Sequence, residues 1–376
     1  MAQLSADCLN EIFKYLDEDV TLNSCLLVNS IWCEISVRNL WKNVRNYKTL
    51  ISCLPKESKE ILLKNKINIT TTTITNSPLF NYVIFIKSLS IYNIDNMIKN
   101  ILQNYQSITP QNCLRFLSKL SCRSDIYSEF FQQLSQICHN IQYLYITFEK
   151  IISKGLPDLI SSQKNLKHLY IMQSYDCEDL SDIIHSLTKL YPDNLIKFEL
   201  YGGKHFIPLS FISKFLNLQE LVLSFDYNYA IEGNNDDTLN LSISEFCPNI
   251  RKIFTIFKNN ELGSLKNIFI NCKYLESIKI WCGDRYLNDK KVLDIVLNHS
   301  PRDFYELKLY YVINAQSEIT PEELEDFFIN WNNRIPQKSL SFIITKGSRA
   351  KSLEVRKENM EIIEKYRMLG IIKKTL

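Results

Sequence analysis

The feature that most constrains the fold of this chain is a short apolar pattern that recurs along it. In each copy, an apolar residue is followed by a second one three positions later and by a third after two more. Clear copies begin at Ile86, Ile141, Leu166, Leu195, Leu218, Leu275 and Phe304, and weaker copies begin at Leu117 and Ile250. The last two apolar residues of a copy lie two apart and therefore point to one side of a strand. The pattern predicts a series of strands, each with one buried face.

The spacing between copies leaves room for a helix after each strand. From Ile141 onward, the copies begin 23 to 32 residues apart. One intervening segment, residues 127–138, places apolar residues at the spacing of an amphipathic helix. This recurrence resembles the leucine-rich repeats, whose units run about 20–29 residues. The resemblance implies an α/β solenoid, in which a curved parallel sheet carries helices on its outer side.

The residues that lead into the pattern also repeat. Cys138, Cys247 and Cys272 each stand three positions before the first apolar residue of a copy. The alternative fold is an α/β domain with a doubly wound sheet. Such a sheet calls for glycine-rich turns after its strands, and the whole chain has only eight glycines. The repeat interpretation is therefore favoured, and the doubly wound domain stays open as the alternative.

The first forty residues have a different pattern, which indicates three short helices. The first predicted helix has one apolar face, formed by Leu9, Ile12, Phe13 and Leu16. A second helix carries the apolar residues between Leu22 and Trp32, and a third ends at Trp41. Three short helices cannot bury so many large side chains among themselves. The excess indicates a surface that a partner covers.

This amino-terminal segment resembles the F-box, whose pattern runs Leu-Pro, Ile-Phe-x-x-Leu, Val-x-x-x-Trp and Leu-Trp. The matching residues are Leu4, Ile12, Phe13, Leu16, Val28, Trp32, Leu40 and Trp41. The chain departs from the pattern at Ser5, where the family has proline. With the repeats, the chain looks like an F-box protein with leucine-rich repeats. The resemblance implies docking on Skp1, the adaptor of cullin-based ubiquitin ligases, through Leu4, Leu9, Ile12, Phe13, Leu16, Leu22, Leu27, Val28 and Trp32.

These patterns divide the chain into four predicted parts. The F-box is expected at 1–46, a connecting segment at 47–80, the leucine-rich repeats at 81–345, and a capping helix with a tail at 346–376. Residues 352–369 have helical periodicity and mixed charge. A solenoid exposes apolar surface at its last repeat, so a cap is expected there.

Composition narrows the class of protein and its compartment. The chain has 44 basic and 41 acidic residues, a balance that argues against a nucleic-acid-binding protein. Its eleven cysteines contain no Cys-x-x-Cys pair, which favours free thiols in a reducing compartment. We expect buried thiols at Cys8, Cys25, Cys138, Cys247 and Cys272. No apolar run approaches the roughly 18 residues of a membrane span, so a cytoplasmic or nuclear protein without a membrane partner is predicted.

The sequence shows no pattern typical of an active site. Its five histidines, at positions 139, 168, 185, 205 and 299, do not pair at the spacing of metal ligands on a helix. No grouping of nucleophile, base and orienting residue stands out. We therefore expect no catalytic residue, no metal and no cofactor, and a protein that is not an enzyme.

Residues that flank the apolar positions of the strands are the better candidates for binding. In a leucine-rich solenoid they line the concave face. The candidates for target binding are Tyr145, His168, Tyr170, Glu199, Tyr201, Lys279, Trp281, Lys308 and Tyr310. This set mixes aromatic rings with both charges, a composition that protein recognition uses because rigid rings give contact area at low entropic cost.

Together these patterns predict a non-catalytic substrate adaptor of an SCF-type ubiquitin ligase. Its head would dock on Skp1, and through Skp1 on a cullin. Its repeats would hold a target protein for ubiquitination and ubiquitin-dependent degradation. Two alternatives stay open. One is a Skp1-bound scaffold with no ligase role, and the other is a small-ligand or enzymatic α/β protein.

Overall fold

The protein has an α/β fold with an eleven-stranded parallel sheet in the described part of the chain. The computed structural model describes residues 4–16, 19–43, 47–54, 56, 59–60, 78–90, 116–177, 180–189, 194–202, 209–224, 239–335 and 338–374. Most of the predicted connecting segment, including 61–77, lies outside the described residues, as does Ile91 at the end of the first repeat copy. The chain forms two compact units, Met1–Thr147 with Ile151–Leu166 and Phe148–Lys150 with Lys167–Leu376.

The first unit begins with helices and continues with strands. Its helices are α1 (Ala6–Phe13), α2 (Asp19–Cys25), α3 (Ser30–Leu40), α4 (Tyr47–Ser52), α5 (Ser128–Ile137) and α6 (Leu156–Ser161), with a 3-10 helix at Tyr82–Phe85. Its strands are β1 (Ser88–Ser90), β2 (Lys119–Arg123) and β3 (Tyr143–Phe148). These strands pair in parallel, with Leu89, Leu120 and Leu144 in register. The helix predicted at 127–138 is confirmed as α5.

The second unit alternates strands with helices. Its strands are β4 (His168–Gln173), β5 (Lys197–Gly202), β6 (Glu220–Ser224), β7 (Lys252–Phe254), β8 (Ser277–Cys282), β9 (Glu306–Tyr311), β10 (Leu340–Lys346) and β11 (Ile372–Lys374). Its helices are α7 (Ser181–Leu187), α8 (Leu239–Phe246), α9 (Leu262–Asn271), α10 (Asp289–His299), α11 (Pro321–Asn332) and α12 (Lys357–Met368), with 3-10 helices at Leu209–Lys214 and Leu353–Val355. The strands follow chain order, unlike those of a doubly wound sheet. This order is compatible with a solenoid-like arrangement.

The recurring apolar residues form the core beneath the strands. Leu169 on β4, Phe198 on β5 and Leu221 on β6 stand in register and are at most 1% exposed. The weak copy at Ile250 forms the short strand β7. Its third position is Thr255, which is buried and whose hydroxyl donates to Asn240 Oδ1 at 3.0 Å. The apolar pattern fades there because a hydrogen-bonded polar pair replaces one apolar side chain.

Most of the described strands begin with two amides that donate to one carbonyl of the preceding repeat. The carbonyl of Lys167 accepts from the amides of Ile196 and Lys197 at 2.8 and 2.9 Å. The carbonyl of Ile196 in turn accepts from Gln219 and Glu220 at 2.8 and 3.0 Å. The same arrangement recurs at Lys42, Lys87, Ser118, Gln219, Arg251 and Glu276. This shared acceptor fixes where each strand begins relative to its neighbour.

The residue three positions before a copy of the apolar pattern, here called the lead-in residue, also links neighbouring repeats by hydrogen bonds. The thiol of Cys272 donates to the carbonyl of Cys247 at 3.5 Å. Gln163 takes the equivalent position in its repeat. Its Nε2 donates to the carbonyl of Cys138 at 2.6 Å, and its Oε1 accepts from the amide of Ile141 at 3.1 Å. The repeated lead-in position thus satisfies backbone groups that burial would otherwise leave without partners.

The prediction of buried thiols holds for most of the named cysteines. Cys25, Cys138, Cys247 and Cys272 are buried and free. The prediction is wrong for Cys8, which is exposed because α1 turns the neighbouring Leu9 inward instead.

The last helix, α12, packs on the helix before it, α11. The ring of Tyr366 on α12 packs against Phe328 on α11, with centroids 5.2 Å apart, and Ile363 is buried. An ion pair joins Lys365 to Glu325 across the two helices. A strand that the sequence did not predict follows, since β11 pairs in parallel with β10. The helix predicted over 352–369 is observed as α12.

We expect Gln163→Ala to destabilise the protein through the lead-in bonds. It leaves the buried amide of Ile141 and the carbonyl of Cys138 without their side-chain partner, at a cost of about 1–3 kcal/mol for each group. The control is Asn165→Ala, which removes an exposed bond to Asn140 and should cost less than about 0.5 kcal/mol. The measurement is the free energy of unfolding in urea. Equal losses in the two variants would contradict the assigned role of Gln163.

The buried thiols should react slowly with iodoacetamide. Burial raises the pKa of Cys138, Cys247 and Cys272 to about 12, and only the thiolate is nucleophilic. In the native protein, mass spectrometry should find Cys8 alkylated well before these three. Unfolding in urea should abolish the difference. Comparable native rates would show that the repeats open readily at these positions.

Candidate functional site

The three amino-terminal helices, here called the head, have a core of their own. Buried side chains from α1, α2 and α3 form it: Leu9, Phe13, Leu22, Cys25, Ile35 and Leu40. Leu16, Leu26, Trp32 and Trp41 are partly buried against this cluster. The rings of Phe13 and Trp32 meet edge to face with centroids 5.2 Å apart. The head therefore folds around a defined apolar centre.

Polar side chains fix where two helices of the head begin. Ser5 is the N-cap of α1, and its hydroxyl accepts from the amide of Cys8 at 3.3 Å. Asn29 is the N-cap of α3, and its Oδ1 accepts from the amide of Trp32 at 3.0 Å. Serine and asparagine are among the preferred N-cap residues. The residue that departs from the F-box pattern, Ser5, thus has a local role in starting α1.

The head also exposes many large apolar side chains. This set, here called the head surface, comprises Leu4, Ile12, Tyr15, Val20, Leu27, Val28 and Ile31. Leu27 is 89% exposed and its neighbour Val28 is 56% exposed. Single exposed apolar residues are ordinary, but seven within residues 4–31 are typical of a surface that associates with another molecule.

The structure separates the predicted Skp1-binding residues into three groups. Leu4, Ile12, Leu27 and Val28 are exposed, whereas Leu16 and Trp32 are partly buried. Leu9, Phe13 and Leu22 are at most 6% exposed and lie in the core of the head. Those three support the head surface and do not form it. The sequence pattern did not single out Tyr15, Val20 and Ile31, although the outward face of α1 could have indicated Tyr15, three positions after Ile12.

A second candidate surface lies on the strands of the second unit. Along β4, β5, β6 and β9, buried positions alternate with half-exposed ones. The outward positions, here called the sheet face, are His168, Tyr170, Met172, Lys197, Glu199, Tyr201, Glu220, Val222, Lys252, Lys279, Glu306, Lys308 and Tyr310. Parallel register aligns them in rows, such as His168, Lys197, Glu220 and Lys252. The rows bring together side chains from distant parts of the sequence.

The first of these rows contains a ladder of ion pairs. Lys197 Nζ lies 3.1 Å from a carboxylate oxygen of Glu220 and 3.4 Å from one of Glu199. Lys252 Nζ lies 3.2 Å from the other oxygen of Glu220. Burial acts to raise the pKa of Glu220, but the bonds from Lys197 and Lys252 outweigh burial and lower that pKa. Opposite charges on neighbouring strands stabilise the sheet at this row.

Farther along the sheet, Lys279 lies among aromatic rings, and Lys308 stands opposite it on the next strand. This group, here called the lysine–aromatic cluster, comprises Phe254, Lys279, Trp281, Lys308 and Tyr310. Lys279 Nζ lies 4.3 Å from the ring centroid of Phe254 and 5.4 Å from that of Tyr310. The ring of Trp281 lies 5.4 Å from Tyr310 and 6.2 Å from Phe254. Two aromatic rings, from β7 and β9, thus lie near one ammonium group, and the ring of Trp281 packs against both of them.

The predicted target-binding residues have different surroundings in the structure. Tyr145 is half-exposed in the first unit, where Lys119 Nζ lies 4.9 Å from its ring centroid. In the second unit, His168, Tyr170, Glu199, Tyr201, Lys279, Lys308 and Tyr310 are half-exposed. Trp281 is only 5% exposed, since neighbouring rings cover it. The sequence pattern missed Lys252 and Phe254, although their alternation with Ile253 on β7 was a signal.

Comparisons with known proteins assign no family to these surfaces. A scan against protein-family models gave no match, and a search of curated proteins gave no similar sequence. Among the helices that the structure describes, none combines the length and apolar character needed to cross a membrane.

The ion-pair ladder should make stability depend on pH. Since the folded-state pKa of Glu220 is lowered, its contribution is present above the unfolded pKa of about 4.3 and is lost as the pH falls through the folded value. Urea unfolding of Glu220→Gln should therefore show a smaller loss of stability between about pH 5 and pH 3 than the wild type. Glu245→Gln, at an exposed position of α8, is the control and should follow the wild type. Indistinguishable profiles for Glu220→Gln and the wild type would contradict the ladder.

Proposed function

We propose that this protein is a non-catalytic adaptor that docks on Skp1 through the head surface and holds a target protein on its strands. The observation that carries the proposal is a small helical core with large apolar side chains left exposed around it. The order of Leu4, Ile12, Phe13, Leu16, Val28 and Trp32 resembles the F-box and supports this partner. Ligation chemistry would belong to other subunits of the complex.

The division between core and surface suggests how docking would be stabilised. Burying one large apolar side chain is worth about 1.5–3 kcal/mol, before the entropic costs of association. Leu27 and Val28 expose the largest fractions of their surface among the residues of the predicted interface and follow each other between α2 and α3. We place them at the centre of contact, while Leu9, Phe13 and Leu22 hold the helices beneath them.

The sheet face supports the second half of the proposal. Its aligned rows offer aromatic rings, which are among the groups that dominate protein recognition. A target held there would be tethered near the rest of a ligase, which raises the effective concentration of its lysines. A Skp1-bound scaffold would use the same two surfaces, so recruitment of a cullin separates the two functions.

The test of docking is a pull-down with purified Skp1. Replacing Leu27 and Val28 together by glutamate places two charges in the proposed apolar contact, so we expect at least about a tenfold loss of affinity. The control is Ile335→Glu, which changes a 92% exposed apolar residue of the second unit and should bind as the wild type does. Wild-type affinity in the Leu27 and Val28 variant would refute docking through the head surface.

A second variant separates contact from folding. Phe13→Ala with Leu16→Ala removes core packing of the head, and deletion of a buried phenylalanine costs about 3–5 kcal/mol. We expect it to lose Skp1 binding together with protection of head amides from hydrogen exchange, while amides of β4–β10 stay protected. The Leu27 and Val28 variant should keep head protection. If wild-type protein binds Skp1 but no cullin co-purifies, the scaffold function replaces the ligase function.

A further inference from the structure

The lysine–aromatic cluster places two positive charges on adjacent strands. Lys279 on β8 and Lys308 on β9 stand directly opposite each other in the parallel register. Like charges in such positions repel each other and destabilise the sheet. Lys308 is compensated by Glu306, whose carboxylate lies 2.8 Å from its Nζ. The pair therefore carries one positive charge more than its own strands neutralise.

Lys279 is the uncompensated member of the pair. The described residues provide it with aromatic rings but no carboxylate within ion-pair distance. Its surroundings penalise the charge, because burial and then the neighbouring Lys308 lower the pKa of the ammonium group. Ring faces attract a cation only modestly at partly exposed sites. An anion arriving at this position would relieve both the burial penalty and the repulsion.

A buried donor accompanies the two lysines. Trp281 follows Lys279 by two residues on β8, packs against the rings of Phe254 and Tyr310, and is only 5% exposed. Its indole Nε1 is buried and has no hydrogen-bond partner among the described residues. Buried polar groups are nearly always paired, so an unpaired one in a native protein calls for an explanation. The cluster thus combines the uncompensated positive charge of Lys279 with an indole N–H of Trp281 that has no hydrogen-bond partner among the described residues.

We propose that the lysine–aromatic cluster binds an oxyanion, a carboxylate or phosphate, on an acidic segment of the target protein. The inference rests on the proposed role of the sheet face in target binding and names the chemistry that this face selects. The anion would pair with Lys279 and Lys308, while the half-exposed ring of Tyr310 packs against the adjoining apolar part of the segment. The other lysines of the sheet face, Lys197 and Lys252, already pair with carboxylates. An anion is therefore expected at Lys279 rather than elsewhere on this face.

The proposal can be tested on the full chain with peptides of fixed length. The probes are fluorescein-labelled hexaglutamate, a hexapeptide of glycine with two phosphoserines, and hexaglutamine as the uncharged reference. Fluorescence anisotropy at about 150 mM salt should show binding of at least one anionic peptide and none of hexaglutamine. The stronger anionic probe identifies the source of the oxyanion as carboxylate or phosphate.

Two substitutions with the same change of charge locate the site. Lys279→Met removes the uncompensated ammonium group, and a lost hydrogen bond to a charged group weakens binding by about tenfold or more. Lys290→Met removes a lysine of α10 that pairs with Glu323 and lies outside the sheet face, so it should change affinity by less than about twofold. A peptide-dependent change in tryptophan fluorescence should disappear in Trp281→Phe, since Trp281 lies within the cluster.

Several results would overturn the proposal. Failure of both anionic peptides to bind at about 1 mM would do so, as would equal affinity of Lys279→Met and the wild type. A twelve-nucleotide deoxythymidine strand that binds through Lys279, with no binding of either peptide, would assign the cluster to nucleic acid instead. Loss of Skp1 docking with intact peptide binding would remove the adaptor function and leave the anion site. Intact Skp1 docking with no peptide binding would remove the anion site and leave the adaptor function.

Discussion

The repeating part of the structure depends on one backbone interaction, the carbonyl that accepts two amides from the start of the next strand. Lys167, Ile196 and Gln219 provide successive examples in the second unit. Because both hydrogen bonds of each pair end on one oxygen, the next strand begins at a fixed position. Register then places one buried residue above another, as in Leu169, Phe198 and Leu221. Every property of the sheet face follows from this alignment, since it also sets which outward side chains are neighbours.

The head illustrates how one apolar pattern serves two purposes. On α1, Leu9 and Phe13 lie four residues apart and pack inward, whereas Ile12 points outward. The inward residues make the head a folded body, and the outward ones leave large apolar side chains exposed on it. An interface built in this way depends on both sets, but only the outward set touches the proposed partner. A substitution at Phe13 therefore tests stability, while one at Leu27 tests contact.

The sheet face combines neutralised and unneutralised charge on the same strands. Near β5 and β6, Lys197 and Glu220 satisfy each other and strengthen the sheet. On β8 and β9, Lys279 keeps its charge among aromatic rings. Paired charges are already solvated by protein groups and offer little to a ligand, whereas the charge at Lys279 is held at a cost that a bound anion would remove. The parts of this surface differ in whether their lysines form ion pairs with carboxylates, more than in how many lysines they contain.

The sequence by itself determined the first nine strands, the helix α5 and the apolar core, because spacing of two or three residues directly sets which side chains share a buried face. It also indicated the lead-in position, where Cys138, Cys247 and Cys272 recur. It did not predict β10, β11, the burial of Trp281 or the cluster around Lys279. Those depend on which residues of separate strands meet, and local spacing contains no information on contacts between segments some 25 to 30 residues apart. Only the tertiary structure decided them, through the register that the shared carbonyls impose.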